Sequence, residues 1–434
     1  MKMRSLLTIV LAMVVAVTSA RAQKLSRTEK QILKIVSQNN VEALDFLEKV
    51  VNINSGTMNL DGVRAVGRQF DAAFAAIGFE TRWVDMPAEM QRAGHLFAEH
   101  RGSKGKRLLL IGHLDTVFEK DSPFQKYEVQ GDTIALGPGT EDMKGGDVIM
   151  LYALKALYEA GALDDTQIVV ALHGDEEETG KPLSISRKDI IEAGKWADIA
   201  LGFEASTGFN EATIARRGSS GWKLDVSGKR AHSAGIFSES NGAGAIFEVS
   251  RILYQFYDQL HAEEYLTFNP GVILGGTFVE YDRANFKGTA YGKSNVIPQT
   301  AVVTGGLRFI SEDQKEHARE VMRQIVDNHL PKTGAQIEFW DSYPAMPPTE
   351  GNKEVLEILS QLSQDMGQGP VVAFDPLKRG AADISFVAQY VDGLDGLGAM
   401  GGGGHTPHEY IDLTTFEALT QRTALLIYRL TREE

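Results

Sequence analysis

The chain of 434 residues contains no cysteine. That absence rules out thiolate nucleophiles, thiolate metal ligands, disulfide staples and a lipid-bearing cysteine behind a leader, so any metal must be held by nitrogen and oxygen. Basic charge is also scarce, with 44 Lys and Arg against 58 Asp and Glu and a formal net charge of −14. An excess of that sign repels phosphate backbones and anionic lipid, so neither nucleic acid nor a membrane surface is an expected partner. The apolar stretch Leu6–Val17 is too short for a comfortable membrane span. With Lys2 and Arg4 before it and Ala20-Arg21-Ala22 after it, the stretch reads as a secretory signal over residues 1–22, cut after Ala22. Cleavage removes three basic residues and no acid, taking the charge from −14 to −17 and placing the protein in the periplasm or outside the cell. No internal repeat or low-complexity tract stands out.

A composition of 43% hydrophobic and 24% charged residues suits a soluble globular protein of two domains or one large one. After a polar helical N-terminus (Glu42–Val51), strand-like and helix-like runs alternate: 107–117, 145–161, 166–175 and 197–206. Continuous apolar strands between helices indicate an α/β fold with a mostly parallel mixed sheet covered on both faces. From about Gly218 the pattern changes to strand (Trp222–Ser227), helix (Ala243–Leu260), strands (Gly271–Thr277 and Val302–Phe309), helix (Glu312–Leu330) and strand (Gln336–Tyr343). This βαββαβ order is that of a ferredoxin-like α+β layer. The expected organisation is therefore a discontinuous first domain, 23–216 and 344–434, interrupted by an inserted domain at 217–343.

Histidines and acids gather where strands end. "LLLIGHLDTVF" delivers His113 and Asp115 on one face of a strand, since side chains two apart point the same way. Asp142 follows in "LGPGTEDMKGG", Asp175 to Glu178 in "HGDEEETG", Glu204 in "GFEAS" and His405 in "GGGGHTPHE". Open α/β sheets bind ligands at this edge. Each piece alone has an ordinary explanation: a hydrogen-bonded His-x-Asp pair, or acids complementing a helix start. "GPGTEDMKGG" lacks the Gly-Lys-Ser/Thr ending of a phosphate loop. Together they are specific. Acids gathered with no basic segment nearby repel one another unless cations neutralise them, and imidazole with carboxylate oxygen suits Zn²⁺, including ion pairs that share a bridging carboxylate.

The ordered set "GHLDTV", "GPGTEDMKGG", "GDEEETG", "FEAS", "SNVIP" and "GGGGHTPHEY" resembles the zinc-dependent exopeptidase family that includes bacterial glutamate carboxypeptidase, aminoacylase, acetylornithine deacetylase, succinyl-diaminopimelate desuccinylase and peptidase T. The similarity covers essentially all of the chain behind the signal and is greatest to glutamate carboxypeptidase. It implies two Zn²⁺ per chain, with Co²⁺ or Mn²⁺ able to substitute. One would be held by His113 and Glu204 and the other by Glu177 and His405, with Asp142 bridging. It further implies that Asp115 orients the His113 ring, that Glu176 is the general base, and that a cis peptide follows Asp142. A register shift of one residue in the acid run would instead make Glu177 the base and Glu178 the ligand. His408 is a second histidine beside His405, and His173 reads as a packed strand residue.

The resemblance also gives the inserted domain a dimerising and lid role. His232 in "SGKRAHSAG" would reach a partner subunit's site, and Asn295 in "SNVIP" and Arg308 in "GGLRF" would lie near substrate. For a substrate α-carboxylate, Arg379 in "LKRGAADIS" is the candidate clamp, because a planar guanidinium binds a carboxylate bidentately. Arg216 and Arg217 are the second option. "WDSYPAM" lacks the arginine expected there from glutamate carboxypeptidase, which argues against strict glutamate specificity. The expected function is hydrolysis of an amide next to a free carboxylate in a small peptide or N-acyl amino acid, by a homodimer. N-acyl-amino-acid deacylase or dipeptidase activity is the alternative, and a non-catalytic, metal-stabilised binding protein the remote one. The processing site is directly testable: mass spectrometry of the exported protein should find Gln23 as its first residue, and an intact Met1 would refute cleavage.

Overall fold

The computed structural model describes residues 25–432, so the signal segment 1–22 and its cleavage site lie outside the described residues. The catalytic layer is a six-stranded mixed sheet in the order Glu80–Val84, His95–His100, Thr166–His173, Lys104–His113, Ile199–Gly202, Gly393–Leu394. The last four are mutually parallel, and His95–His100 runs antiparallel to Thr166–His173. Alternation along the central strand explains its unbroken apolar character. Leu108 and Leu110 enter the large core, to which the helices Arg27–Val51, Lys144–Glu159 and Leu413–Leu430 contribute, while Leu109 and Ile111 pack on the other face with Ile190 of the helix Lys188–Trp196. The first helix begins earlier than its apolar pattern indicates. Ser26 accepts from the Glu29 amide at 3.2 Å and the Glu29 carboxylate accepts from the Ser26 amide at 2.7 Å, a reciprocal cap.

Parallel pairing sets His113 directly opposite His173, and Ile199–Gly202 ends beside them, so the loops carrying Asp115, Asp175–Glu178 and Glu204 leave the sheet at one edge. A small antiparallel sheet, not anticipated from the sequence, supplies the rest. Ile134–Leu136 pairs with Tyr410–Asp412, which pairs with Gly401–Gly402, and this brings the Asp142 loop against the His405 loop.

Residues 218–341 form a second sheet, fully antiparallel, in the order Thr267–Gly276, Thr300–Phe309, Gly218–Gly228, Thr333–Asp341. Its core of Trp222, Leu224, Phe256 and Met322 lies beneath the helices Ala245–Leu260 and Glu312–Asp327. The βαββαβ order holds, with boundaries moved by a few residues. The second helix stops at Asp327, not Leu330, because Asn328 turns extended (φ −93°, ψ 110°). An additional hairpin, Phe278–Asp282 with Lys287–Tyr291, is inserted in the chain between the strands Thr267–Gly276 and Thr300–Phe309. The chain crosses between the sheets twice, and the crossings are joined: Arg216 and Met346 exchange two backbone hydrogen bonds of 2.9 Å, and the Ser219 amide donates to the Tyr343 carbonyl at 2.8 Å. Among the described residues, no helix is long and apolar enough to cross a membrane.

Candidate active site

At the shared edge, Asp142 stands between two imidazoles. Its Oδ1 lies 3.1 Å from His113 Nε2 and its Oδ2 3.1 Å from His405 Nε2. On the His113 side, Glu204 Oε1 is 3.7 Å from the same ring nitrogen, and on the other side Glu177 Oε2 is 3.1 Å from His405 Nε2. Ligand atoms of His113, Glu176 and Glu204 lie within 4.8 Å of one another, as do those of His113, Asp142 and Glu177. The arrangement is two half-sites sharing one carboxylate. All six residues named from the sequence for metal and base roles converge here.

Several devices hold these groups. The Asp115 carboxylate accepts from Thr57 Oγ1 (2.6 Å), the Glu176 amide (3.0 Å) and the Glu177 amide (3.2 Å), while its backbone carbonyl lies 3.1 Å from His113 Nδ1. Asp115 thus orients both the ring and the acid run. The Asp142–Met143 peptide is cis. Gly145 and Gly146, the "GG" of the motif, allow close packing: a β-carbon would lie 2.2 Å from the Thr140 carbonyl at the first and 2.0 Å from that of Phe203, next to Glu204, at the second. Glu409, buried and unassigned from the sequence, accepts from the Glu141 and Asp142 amides at 2.9 and 3.1 Å. His405 itself has a left-handed backbone, φ 61°.

The acid run divides by partner. Asp175 is buried and bound to Arg187, with Nη1 at 2.5 Å, and accepts from the Gly180 amide. Glu178 turns away to Arg92, whose Nη2 and Nε donate to its side chain (2.9 Å) and carbonyl (2.6 Å). Glu176 and Glu177 alone face the cluster. Their neighbour His173 is packed in the strand, with Nδ1 2.5 Å from Asp383 Oδ2. Arg92 and Arg187 escape sequence reading because each reaches a partner through folding alone.

Electrostatics make the cluster dependent on counter-charge. Burial, then the charge of Asp142, pushes Glu204 up to about 7, and burial with Glu204 holds Glu176 well above the usual carboxyl range. Burial, then Asp142, likewise raises Glu141 to about 7. Conversely, hydrogen bonds to Asp142 and Glu177 raise His405 to about 11, and His113 and His405 depress Asp142 although burial opposes it. Glu177 Oε1 is buried with no hydrogen-bond partner. An orphaned carboxylate oxygen among nitrogen and oxygen donors fits divalent metal, and these residues are suited to hold it.

The remaining named residues separate into two groups. Arg379 lies beside the cluster, in the field of Glu204 and Asp142, with Nη2 donating to the Ala205 carbonyl (2.6 Å) and Nε buried without a partner. Arg216 is buried against Asp395 (2.6 Å), whereas Arg217 bonds Thr267 Oγ1 and the Leu377 carbonyl and lies in the field of Arg308. His232 and Asn295 meet each other at the far end of the inserted sheet, where the Ser233 amide donates to the Asn295 carbonyl at 2.9 Å and His232 bridges to Val296. Neither makes a hydrogen bond or ion pair with the cluster of its own chain among the described residues.

A mixed α/β sheet bearing an imidazole–carboxylate cluster at its strand ends, with an inserted ferredoxin-like layer, defines a metallohydrolase. Residues 109–429 match the family description Peptidase family M20/M25/M40, and the chain belongs to that family. It is an enzyme, a metallopeptidase, which sets aside the binding-protein alternative. Carboxypeptidase G2 of Pseudomonas sp. (strain RS-16) is 27% identical over 98% of this chain and 97% of its own length. A succinyl-diaminopimelate desuccinylase of Rickettsia bellii (strain RML369-C) is 23% identical over 83% of this chain and 92% of its own. In fold, aminopeptidase PepT from Bacillus cereus aligns with a TM-score of 0.71 at 17% identity, over 90% of this chain and 99% of that one.

The division of the acid run generates a test. Elemental analysis of purified protein should show Glu178→Gln retaining its metal and Glu177→Gln losing it, and the opposite result would move the metal and base roles one residue along.

Proposed function

We propose that this metallopeptidase releases a C-terminal amino acid from a small peptide or N-acyl amino acid, in the manner of a glutamate carboxypeptidase, with two divalent ions at His113/Glu204 and Glu177/His405 and Asp142 shared between them. The observation that carries the reading is the pair of half-sites around Asp142 with Glu176 beside them. Bound there, Zn²⁺ would polarise the scissile carbonyl and acidify a nucleophilic water. Glu176, its affinity for protons increased by burial and by Glu204, takes the proton of that water and returns it to the departing nitrogen. Asp115 keeps His113 and the Glu176 amide in place while this happens.

A free carboxylate on the substrate is favoured by the cations at the domain junction. Arg379, Arg217 and Arg308 form no salt bridge with any acid among the described residues, in a chain of net charge −14. Such a group invites an anion, and Arg379 stands nearest the cluster. N-acyl-amino-acid deacylation and dipeptide cleavage use the same centre. Matches to a desuccinylase and, in fold, to human carnosine dipeptidase 1 (TM-score 0.59, 14% identity) keep both in view.

Register supports activity as a homodimer. Arg308 pairs with Ser219 at the crossover end of the inserted sheet, whereas Ser227 and Thr300, beside the His232–Asn295 pair, lie at the opposite end, about 25–30 Å away along the strand. His232 is therefore suited to a second copy's centre, not its own. Exposed Phe247, Tyr254 and Tyr257 on the helix Ala245–Leu260, with Ile273 on the adjoining edge strand, offer an apolar face for that copy. Light scattering should find active protein dimeric, and a fully active monomer would end the shared-site reading. A panel of N-acyl amino acids and dipeptides, each as free acid and C-terminal amide, tests the chemistry. Glu176→Gln should lower kcat by about 10²–10⁴-fold with metal content preserved. Arg379→Ala should raise KM for the acids far more than for the amides, and equal losses would show Arg379 to be structural.

A further inference from the structure

Glu176 is gripped on the two sides of its backbone by different parts of the molecule. Its amide donates to Asp115 Oδ1 at 3.0 Å, in the strand-end loop that carries His113. Its carbonyl accepts from the Tyr343 hydroxyl at 2.7 Å. That hydroxyl also pairs with Thr179 Oγ1 at 2.6 Å, and Thr179 Oγ1 in turn reaches the Glu176 carbonyl at 3.4 Å. Tyr343 belongs to neither sheet. It lies two residues beyond Asp341, where the chain leaves the inserted domain, and is tied to the outgoing crossing through the Ser219 amide on its carbonyl (2.8 Å) and Ser219 Oγ on its amide (3.4 Å). The ring packs on Phe386 with centroids 4.9 Å apart, and Phe386 lies under the buried Arg187. Burial, then the charge of Glu176, keeps the phenol protonated far above neutral pH, so it is a lasting donor.

We propose that Tyr343 is a positioning residue for the general base: its hydroxyl fixes the Glu176 carbonyl to the crossover segment, so that the seating of the inserted domain sets the direction of the Glu176 carboxylate. The Glu177 amide, which belongs to the same peptide as the Glu176 carbonyl, donates to Asp115 Oδ2 at 3.2 Å, so the Glu176–Glu177 peptide plane is held on both sides and has little rotational freedom left. Removing the phenol hydroxyl frees that plane, and a base displaced by about 1 Å loses much of its effect. The proposal rests on the reading of Glu176 as the base.

Tyr343→Phe keeps the ring on Phe386 and deletes only the hydroxyl, so the fold should survive. In metal-loaded enzyme assayed on the best substrate of the panel, kcat should fall about 10-fold or more with KM and metal content nearly unchanged. In metal-free protein, amide exchange across Glu176–Gly180 should accelerate by a similar factor while the strand 108–113 is unaffected. A variant with wild-type kcat, or with unchanged exchange in the acid run, would overturn the proposal, even if its melting temperature had dropped. If the wild-type protein cleaved no member of the panel, the base assignment would fail instead, and with it the proposal, whatever the exchange result.

Discussion

The structure is organised around an electrostatic conflict: Asp142, Glu176, Glu177 and Glu204 stand together beside the imidazoles of His113 and His405. Two like charges about 4 Å apart at a partly buried site repel by about 4 kcal/mol, so several such pairs rival the 5–15 kcal/mol that stabilises a whole domain. Burial first, and that repulsion after it, raise the proton affinities of Glu176, Glu177 and Glu204. Only a rigid frame can impose it. The acids come from the ends of parallel strands whose cores are fully buried, and from two loops locked by the small sheet around Tyr410–Asp412. Metal bound there would turn the conflict into binding energy, and this links the acid-rich sequence to a metallopeptidase.

Buried basic side chains elsewhere in the catalytic domain fasten the loops of the cluster. Lys144, pushed down to about 7 by burial, donates to the Val50 and Ile53 carbonyls and anchors the helix that follows Asp142. Arg187 joins Asp175, at the start of the acid run, to Asp383, four residues beyond Arg379. Arg216 joins Asp395 to the Gly380 carbonyl. Each bond spans distant stretches of chain, and removing one partner from such a pair strands a buried charge at a cost of about 3–5 kcal/mol.

What the sequence revealed follows the same division. Strand ends and their acids were legible because period-2 burial and His-x-Asp spacing are local, and the ferredoxin-like order of the insert was legible for that reason too. The small sheet was not, since Ile134–Leu136 and Tyr410–Asp412 are three-residue strands that mean nothing until paired. The hairpin Phe278–Tyr291 was missed because it continues an apolar strand without a strong turn signal. The register of the acid run was ambiguous for a deeper reason: four adjacent acids are chemically alike, and what distinguishes them is Arg187 holding the first and Arg92 holding the last.

The acidic cluster and the unpaired arginines reside in different places. The centre is built by one domain, from local motifs attached to parallel strands. Arg379, Arg217 and Arg308, which form no salt bridge among the described residues, lie where the two sheets join, so their spacing depends on the angle at which the inserted domain is seated. That angle is set by the joined crossings at Arg216–Met346 and Ser219–Tyr343.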